Sequence, residues 1–288
     1  LIFNYTISAG ENCNPLKVHS ISGIITDLAG NHADLLDLPS DNGLSDIEID
    51  TTAPVLTEEG SISTPGNDNP PTVTFSTDKP GTLTTNMTNG FKDDENGSNH
   101  DKIHITNTGQ HTVTFAELDD GEYNNVKLIL TDEAGNEGML TISDFKIDTT
   151  PPTLTPGSIP SHTNNPTFTL SSTKTGTITY SDGVKGVHST DGDVNNITAH
   201  VTETITLVKS DGNPLDHGEH DITVTVTDEA GNHAKKTYDF NMDTLPPEIE
   251  YAKLETNDGK NVAKDGDVVV FLFEAKEEVT ASHIQFLK

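Results

Sequence analysis

The sequence has little of what one large hydrophobic core or a nucleic-acid interface requires. It contains no tryptophan, and only 5% of its 288 residues are aromatic and 31% hydrophobic. This composition excludes a single large core and favours several small domains. Lysine and arginine number 16 against 46 aspartates and glutamates, which gives a formal net charge of −30. Such a surface repels a phosphate backbone, so nucleic acid is excluded as a partner.

Cysteine, a leader segment and long apolar runs are also scarce or missing. Cys13 is the single cysteine, which excludes an internal disulfide and a cysteine-based zinc site. No stretch approaches the roughly 18 apolar residues of a membrane span, so no membrane insertion is expected. No basic and apolar leader opens the chain. We therefore expect a mature product or a fragment of a longer protein.

Two sequence motifs recur in the same order along the chain. Thr-Asp-Xaa-Ala-Gly-Asn occupies residues 26–31, 131–136 and 227–232, and an Asp-Thr pair that leads into proline begins at Asp50, Asp148 and Asp243. These three aspartates are 98 and 95 residues apart, the size of one β-sandwich. We therefore predict complete domains at 51–148 and 149–243, the C-terminal part of a domain at 1–50 and the N-terminal part of another at 244–288.

Within each repeat, apolar and polar residues alternate over short runs, which predicts strands with one buried face. In the first complete repeat the predicted strands are 54–57, 72–77, 82–86, 111–117, 125–131 and 139–147, with a short one near 102–106. In the second they are 152–155, 167–172, 177–181, 202–209, 221–227 and 236–242. The partial domains have predicted strands at 1–7, 267–275 and 283–288. The predicted fold is all-β.

The same alternation predicts which side chains face the cores. The predicted inward positions before each Thr-Asp turn are Val126, Leu128, Leu130, Ile222, Val224 and Val226, with Ile21, Gly23 and Ile25 in the first repeat. The predicted opposite positions are Val73, Phe75, Val113, Phe115, Phe168, Leu170, Ile205 and Leu207. Threonines such as Thr223 and Thr225 then line the outer face, as solvated strands commonly do. An ice-binding or sugar-binding surface is the alternative for these rows.

The two partial domains raise a question of assembly. Neither can close a sandwich alone, because each would leave an apolar face and open strand edges in water. Two explanations stay open: the chain is cut from a longer array, or the tail of one copy pairs with the head of the next by strand donation.

One family combines these motifs. Thr-Asp-Glu-Ala-Gly-Asn, then a strand, then Ile-Asp-Thr-Thr-Pro-Pro resembles the bacterial immunoglobulin-like (Ig-like) tandem repeats of large surface adhesins, as does Leu-Asp-Asp-Gly-Glu-Tyr at 118–123. The resemblance covers essentially the whole chain. It implies tandem Ig-like β-sandwiches in an elongated array, with partial sandwiches at both ends, an extracellular or cell-surface location, a stalk role and calcium at the domain junctions. His220 in place of Tyr123, and Leu245 in place of a threonine, depart from the pattern.

The junctions can be assigned candidate calcium ligands. In an Ig-type sandwich the last strand ends at one pole, where the next domain presents its loops, so acidic residues of both should converge. At the first junction these are Asp50, Asp132 and Asn136, with Asp78 as a further candidate. At the second they are Asp148, Asp119, Asp120, Asp228 and Asn232. At the third they are Asp243 with Asp27 and Asn31 of another copy. Such oxygens suit Ca²⁺, which takes about six to eight. The alternative is that Ala-Gly-Asn is only a hairpin turn.

Other motifs in the sequence give weaker indications of function. His217 with His220, and His100 with His104, have metal-ligand spacing, but no helix is predicted to bring either pair to one face, so zinc is not expected. There is no Gly-x-Ser-x-Gly elbow, phosphate loop or His-Glu-x-x-His helix, so the chain is not expected to be an enzyme.

These observations predict a non-catalytic extracellular stalk or spacer of a bacterial adhesin or surface fibre, rigidified by calcium. Its partners would be neighbouring repeats of the same protein or other copies of itself. The alternative is a self-assembling filament subunit whose terminal half-domains complement each other head to tail.

Overall fold

A computed structural model of the chain describes residues 4–18, 23–32, 47–92, 98–188, 192–256 and 262–279. Within these ranges the regular structure consists of β-strands, so the prediction of an all-β fold is confirmed. No helix in the described part of the chain is long and apolar enough to cross a membrane. The chain divides into two compact units. The first comprises residues 1–151 with the turn 228–232, and the second comprises residues 152–227 and 233–288.

The first unit contains a β-sandwich of short strands. These are β1 (Leu56–Gly60), β2 (Thr72–Thr77), β3 (Gly81–Thr85), β4 (Phe91–Lys92), β5 (Asn99–His100), β6 (Ile103–Ile105), β7 (Gly109–Thr114), β8 (Gly121–Tyr123), β9 (Lys127–Thr131), β10 (Glu137–Thr141) and β11 (Phe145–Ile147). One sheet has the order β1-β2-β7 and the other the order β10-β9-β3-β6, while β11-β8 and β4-β5 form separate pairs. The pairings within the two main sheets are antiparallel.

Alternate side chains of these strands form the first core, as the sequence pattern predicts. The predicted positions that are buried are Val73, Phe75, Val113, Phe115, Val126, Leu128 and Leu130. Phe91 stacks on Phe115 with ring centroids 5.7 Å apart. The prediction of one continuous strand at 139–147 is wrong. Because β10 pairs with β9 whereas β11 pairs with β8, the chain changes partners between residues 141 and 145.

The second unit contains another sandwich. Its strands are β12 (Leu154–Pro156), β13 (His162–Thr163), β14 (Thr167–Ser172), β15 (Gly176–Tyr180), β16 (Val184–Val187), β17 (Asn196–Ile197), β18 (Thr202–Lys209), β19 (Gly218–Asp228) and β20 (His233–Met242). Its two sheets have the orders β12-β14-β18-β16 and β13-β20-β19-β15-β17. β19 and β20 form a long antiparallel hairpin around the third Thr-Asp-Xaa-Ala-Gly-Asn motif.

The second core also follows the predicted alternation. The predicted positions that are buried are Phe168, Leu170, Ile205, Leu207, Ile222, Val224 and Val226. Between them, the row of Thr223, Thr225 and Thr227 is half-buried rather than open to solvent. The hydroxyl of Thr223 lies 2.9 Å from that of Thr237 on β20. Thr223 therefore pairs with a threonine across strands, which is an ordinary use of β-branched residues in a sheet.

A hairpin of β21 (Ile249–Thr256) and β22 (Val269–Ala275) follows the second sandwich. Its apolar side chains are uncovered: Tyr251, Leu254, Val269, Val270, Phe271 and Leu272 are between 37% and 58% exposed. The strand predicted at 267–275 is thus present, two residues shorter. The strand predicted at 283–288 lies outside the described residues.

Predictions for the first 50 residues are less successful. Residues 4–7 of the strand predicted at 1–7 contain no strand in the structure. Gly23 is exposed and Ile25 only half-buried, whereas both were predicted to face a core; Ile21 is not among the described residues. A strand forms only where a neighbour pairs with it. In the described part of this segment, pairing is limited to two isolated β-bridges, one between Cys13 and Ile49 and one between Thr26 and His32.

Candidate functional site

The Thr-Asp-Xaa-Ala-Gly-Asn motif folds into the same turn in all three copies. The aspartate carboxylate accepts a hydrogen bond from the backbone N–H of the asparagine four residues later, at 2.8 Å in each copy. The glycine N–H donates to the aspartate carbonyl at 3.1 Å in each copy. The asparagine Nδ2 also donates to the aspartate carboxylate. The hairpin-turn alternative is therefore correct as a description of local structure.

The glycine of the motif is required by the backbone. Gly30, Gly135 and Gly231 have φ values of 87°, 90° and 93°. An L-residue with a Cβ is strained in this left-handed region. Local sequence thus specifies the turn, whatever lies next to it.

The three turns differ in what covers them. Asp27 and Asn31 are exposed, whereas Asp132, Asp228 and Asn232 are 8%, 7% and 7% exposed. Each of the two buried turns has an Asp-Thr linker segment against it. Burial therefore comes from the neighbouring Asp-Thr linker and not from the turn itself.

The contact between turn and linker is a side chain to backbone hydrogen bond. Nδ2 of Asn136 donates to the carbonyl oxygen of Asp50 at 3.0 Å, and Nδ2 of Asn232 donates to the carbonyl oxygen of Asp148 at 2.7 Å. We call each of these bonds a linker clamp. The predicted convergence of turn and linker is thus present, but a backbone carbonyl accepts the bond.

The linker aspartates also form hydrogen bonds within the linker itself. Oδ1 of Asp50 accepts the N–H of Thr52, Oδ1 of Asp148 that of Thr150, and Oδ1 of Asp243 that of Leu245, at 2.9 to 3.2 Å. This Asx turn fixes the linker just before its proline, which itself restricts φ. The Asp-Thr motif therefore has a structural role in every repeat.

A lysine stands at the centre of the first junction. Nζ of Lys79, in the loop between β2 and β3, lies 2.5 Å from Oδ2 of Asp50 and 3.0 Å from Oδ2 of Asp132. The hydrogen bond from Lys79 lowers the pKa of Asp50, and the bond to Asp50 raises the pKa of Lys79. Burial raises the pKa of Asp132, but hydrogen bonds from Asn136 and Lys79 outweigh it and the net shift is downward. All three groups are therefore charged at neutral pH.

Asp78, the further candidate in this loop, contacts the backbone of Val55. Its Oδ1 accepts the N–H of Val55 at 2.7 Å. Sequence reasoning selected this loop but not the residue that contacts Asp50 and Asp132. Signals that could have identified the lysine are its place beside Asp78 and the recurrence of a lysine, Lys174, at the same position after β14.

The two aspartates before β8 have separate roles. Asp120 accepts hydrogen bonds from the N–H of Thr149 at 2.8 Å and from the hydroxyls of Thr149 and Thr150 at 2.7 and 2.6 Å. Asp119 is exposed, and its backbone carbonyl accepts the hydroxyl of Tyr123 at 2.8 Å. Asp120 therefore joins the Asp148 linker, whereas the Asp119 side chain points to solvent.

The histidines of the pair His217 and His220 contact other groups of the fold. Nδ1 of His217 lies 3.7 Å from Oδ1 of Asp243. His220 stacks on Phe240, and its Nε2 is 2.8 Å from the carbonyl of Asp216. In the described part of the chain, no three His, Cys, Asp or Glu side chains are grouped so as to hold a metal ion.

The donor set of the first junction does not fit calcium. Calcium needs oxygen ligands on every side, but here an ammonium group contacts both carboxylates. Asn136 presents its amide nitrogen to Asp50 O and to the Asp132 carboxylate, and the opposite amide orientation would place oxygen against oxygen. Calcium at the second and third junctions stays a prediction.

The fold and these turns can now be compared with known proteins. Residues 160–244 match the family of bacterial Ig-like domains. The resemblance recognised in the sequence is thereby confirmed for the second sandwich. Fibronectin(III)-like modules of Clostridium thermocellum CbhA are 11% identical with a TM-score of 0.38, covering 66% of this chain and 94% of theirs. A tetra-tandem repeat from the extending region of a large adhesion protein is 15% identical with a TM-score of 0.26, covering 80% of this chain and 65% of its own.

Escherichia coli alpha-2-macroglobulin is 12% identical with a TM-score of 0.27, covering 74% of this chain and 24% of that protein. These structural likenesses are too low to bear on function. No curated protein matches the sequence.

Proposed function

We propose that the chain is a non-catalytic segment of an extracellular stalk on a bacterial surface protein, in which Ig-like sandwiches act as spacers. The linker clamps are the observation that carries this proposal. A spacer must resist bending, and the clamps hold the backbone of the Asp50 and Asp148 linkers against buried turns at 3.0 and 2.7 Å. The prolines after the linkers add stiffness, because a proline restricts its own φ and its predecessor.

The composition supports the same role. A net charge of −30 keeps a surface chain soluble and separate from its neighbours. Several polar side chains make structural contacts: Asp120 binds Thr149 and Thr150 of the linker, and His220 on β19 stacks on Phe240 on β20. Calcium at the second and third junctions, if bound, would stiffen them further by joining carboxylates of adjacent domains.

Two measurements on the purified chain test the stalk role. Small-angle X-ray scattering should give the profile of an elongated particle, and screening of a glycan array should give no saturable binding. A compact scattering profile, or saturable binding of a glycan, would contradict the spacer role. Thermal unfolding with and without a chelator tests the calcium prediction separately: an unchanged melting temperature would rule it out, with the spacer role still intact.

A filament subunit is the second candidate, because the β21–β22 hairpin leaves apolar side chains uncovered. A sandwich normally buries one face of each sheet, so this hairpin requires a covering partner. We propose that the partner is the complementary part of an Ig-like domain, supplied by a neighbouring repeat or by another copy of the chain.

Light scattering distinguishes these two sources of the covering strands. A monomer of 30.9 kDa at micromolar concentration contradicts assembly by copies, whereas a ladder of multiples supports it. Leu254→Lys should abolish the ladder. The matched control Val201→Lys, at an exposed apolar residue outside the hairpin, should leave it intact.

A further inference from the structure

The first junction already contains a cation that the protein itself supplies. Nζ of Lys79 donates to Oδ2 of Asp50 and to the carbonyl of Thr52, each at 2.5 Å, and to Oδ2 of Asp132 at 3.0 Å. An ammonium group has three N–H donors and no acceptor. These three oxygens therefore use its full hydrogen-bonding capacity.

The three acceptors come from two parts of the chain that would otherwise repel each other. Asp50 and Thr52 belong to the linker, and Asp132 begins the turn after β9. The charge of Asp132 by itself raises the pKa of Asp50, which is the signature of repulsion between the two carboxylates. A positive charge between them converts this repulsion into attraction from both sides.

The lysine is partly shielded from solvent. The side chains of Lys79, Asp50 and Asp132 are 23%, 27% and 5% exposed. Charges that are partly buried are screened by salt less than exposed ones. By contrast, the pair of Lys92 and Glu117 on the same sandwich is 3.6 Å apart, with Glu117 75% exposed, and pairs of that kind contribute little.

Backbone geometry positions the lysine. The hydroxyl of Thr77 donates to the carbonyl of Lys79 at 3.0 Å and accepts the Lys79 N–H at 3.3 Å. The second sandwich repeats this turn, with Ser172 and Lys174 at 2.7 and 3.1 Å. The loop that presents the lysine is thus part of the repeat and not a peculiarity of one copy.

We propose that Lys79 is the built-in cation of the first junction, and that it joins the Asp50 linker to the first sandwich without calcium. Calcium could enter only by displacing the ammonium from three short hydrogen bonds and reversing the amide of Asn136. The family resemblance implies calcium at such junctions, and this junction departs from that expectation. The inference stands whether or not the chain serves as a spacer, because it rests on contacts within one junction.

Spin-label distances in the full chain test this proposal. Cys13 supplies one label, since its backbone is paired with Ile49 next to the linker. Met139→Cys supplies the other, on an exposed position of β10. In the otherwise unchanged chain, the distance between the labels should form a narrow peak that is the same with calcium and with a chelator. Broadening of that peak by the chelator would overturn the proposal without any further substitution.

Substitutions of Lys79 provide a second test of the proposal. Lys79→Met keeps the length of the side chain and removes its charge, and it should abolish the narrow peak in chelator. Lys79→Arg keeps the charge and should retain the peak, and so should the matched control Lys92→Met. A narrow peak in Lys79→Met, with chelator present, would refute the role of the lysine. Circular dichroism and the melting temperature of each variant show whether the sandwiches remain folded.

Discussion

The linker clamp predicts a large difference between two asparagines of the same sandwich. Asn232 and Asn213 both donate Nδ2 to an aspartate carboxylate within a turn, at 3.2 Å to Asp228 and at 2.9 Å to Asp211. Asn213 is exposed, so Asn213→Ala should change the free energy of unfolding by less than about 0.5 kcal/mol. Asn232 is 7% exposed and also donates to the carbonyl of Asp148 at 2.7 Å.

Asn232→Ala loses a neutral hydrogen bond and one to a charged group, in a place where water cannot replace them. Their typical net contributions add to about 2 to 4 kcal/mol. For a domain of this size, that lowers the melting temperature of the sandwich by roughly 10 to 20 °C. Differential scanning calorimetry measures the shift, and amide hydrogen exchange in β19 and β20 assigns it to this sandwich. Equal effects of Asn213→Ala and Asn232→Ala would refute the reasoning.

A third variant separates the clamp from a metal site at the same place. Asn232→Asp replaces the amide donor with an oxygen that faces the Asp228 carboxylate and the Asp148 carbonyl. If the side chain acts as a donor, Asn232→Asp should destabilise the sandwich more than Asn232→Ala does, because it adds repulsion to the lost bonds. Stabilisation of Asn232→Asp by added calcium, to the level of the unchanged chain, would favour a metal ligand instead.

Three further predictions concern the cores and the turn. Tyr180→Phe should cost about 1 to 2 kcal/mol, because the hydroxyl of Tyr180 donates to Val194 O at 2.9 Å; Tyr238→Phe should stabilise the sandwich, because the buried hydroxyl of Tyr238 has no partner among the described residues. Urea unfolding measures both, and a loss of stability in Tyr238→Phe would contradict this. Burial raises the pKa of both tyrosines above the ordinary value of 10.0. The free energy of unfolding is therefore unaffected by tyrosine ionisation below that pH, and it falls as pH rises through and beyond it. Between pH 8 and pH 11, the free energy of unfolding should fall less in the double variant Tyr180→Phe/Tyr238→Phe than in the unchanged chain. An equal fall in both would exclude the tyrosines as its cause. Gly135→Ala should lower the free energy of unfolding by about 1 to 2 kcal/mol, because φ is 90° there. Gly121→Ala, where an added Cβ would meet no atom within 4 Å, should leave it nearly unchanged in the same assay.

The sequence was most informative where a pattern repeats along a strand. Leu128 and Leu130, like Val224 and Val226, are fully buried because a strand directs every second side chain to the same face. The same rule was insufficient at 139–147. Ser143 and Asp144 are two consecutive polar residues that interrupt the alternation, and the pairing partner changes there from β9 to β8. Which strand lies alongside is a property of the whole sheet, and a local pattern does not contain it.

At the first junction, the position of the contact was predictable from the sequence, but the side chain that makes it was not. Neighbouring residues of a loop can point in different directions, so the sequence Asp78-Lys79 does not show which of the two reaches the linker. In the structure Asp78 binds Val55 N, and Lys79 binds Asp50 and Asp132. An acidic composition biased the prediction towards a metal, although one well-placed lysine can satisfy the same carboxylates.

The three copies of the Thr-Asp-Xaa-Ala-Gly-Asn turn show how one motif can serve two levels of structure. Its internal bonds are the same in the exposed copy at Asp27 as in the buried copies at Asp132 and Asp228, so the motif alone specifies a turn. A junction arises only where the asparagine of that turn also reaches the carbonyl of a linker aspartate. Because that acceptor is a backbone atom, its identity does not depend on the linker side chain. The recurring aspartates of the linkers therefore act through their Asx turns, which aim the carbonyl, and Asp50 acts also through a charge that a lysine meets.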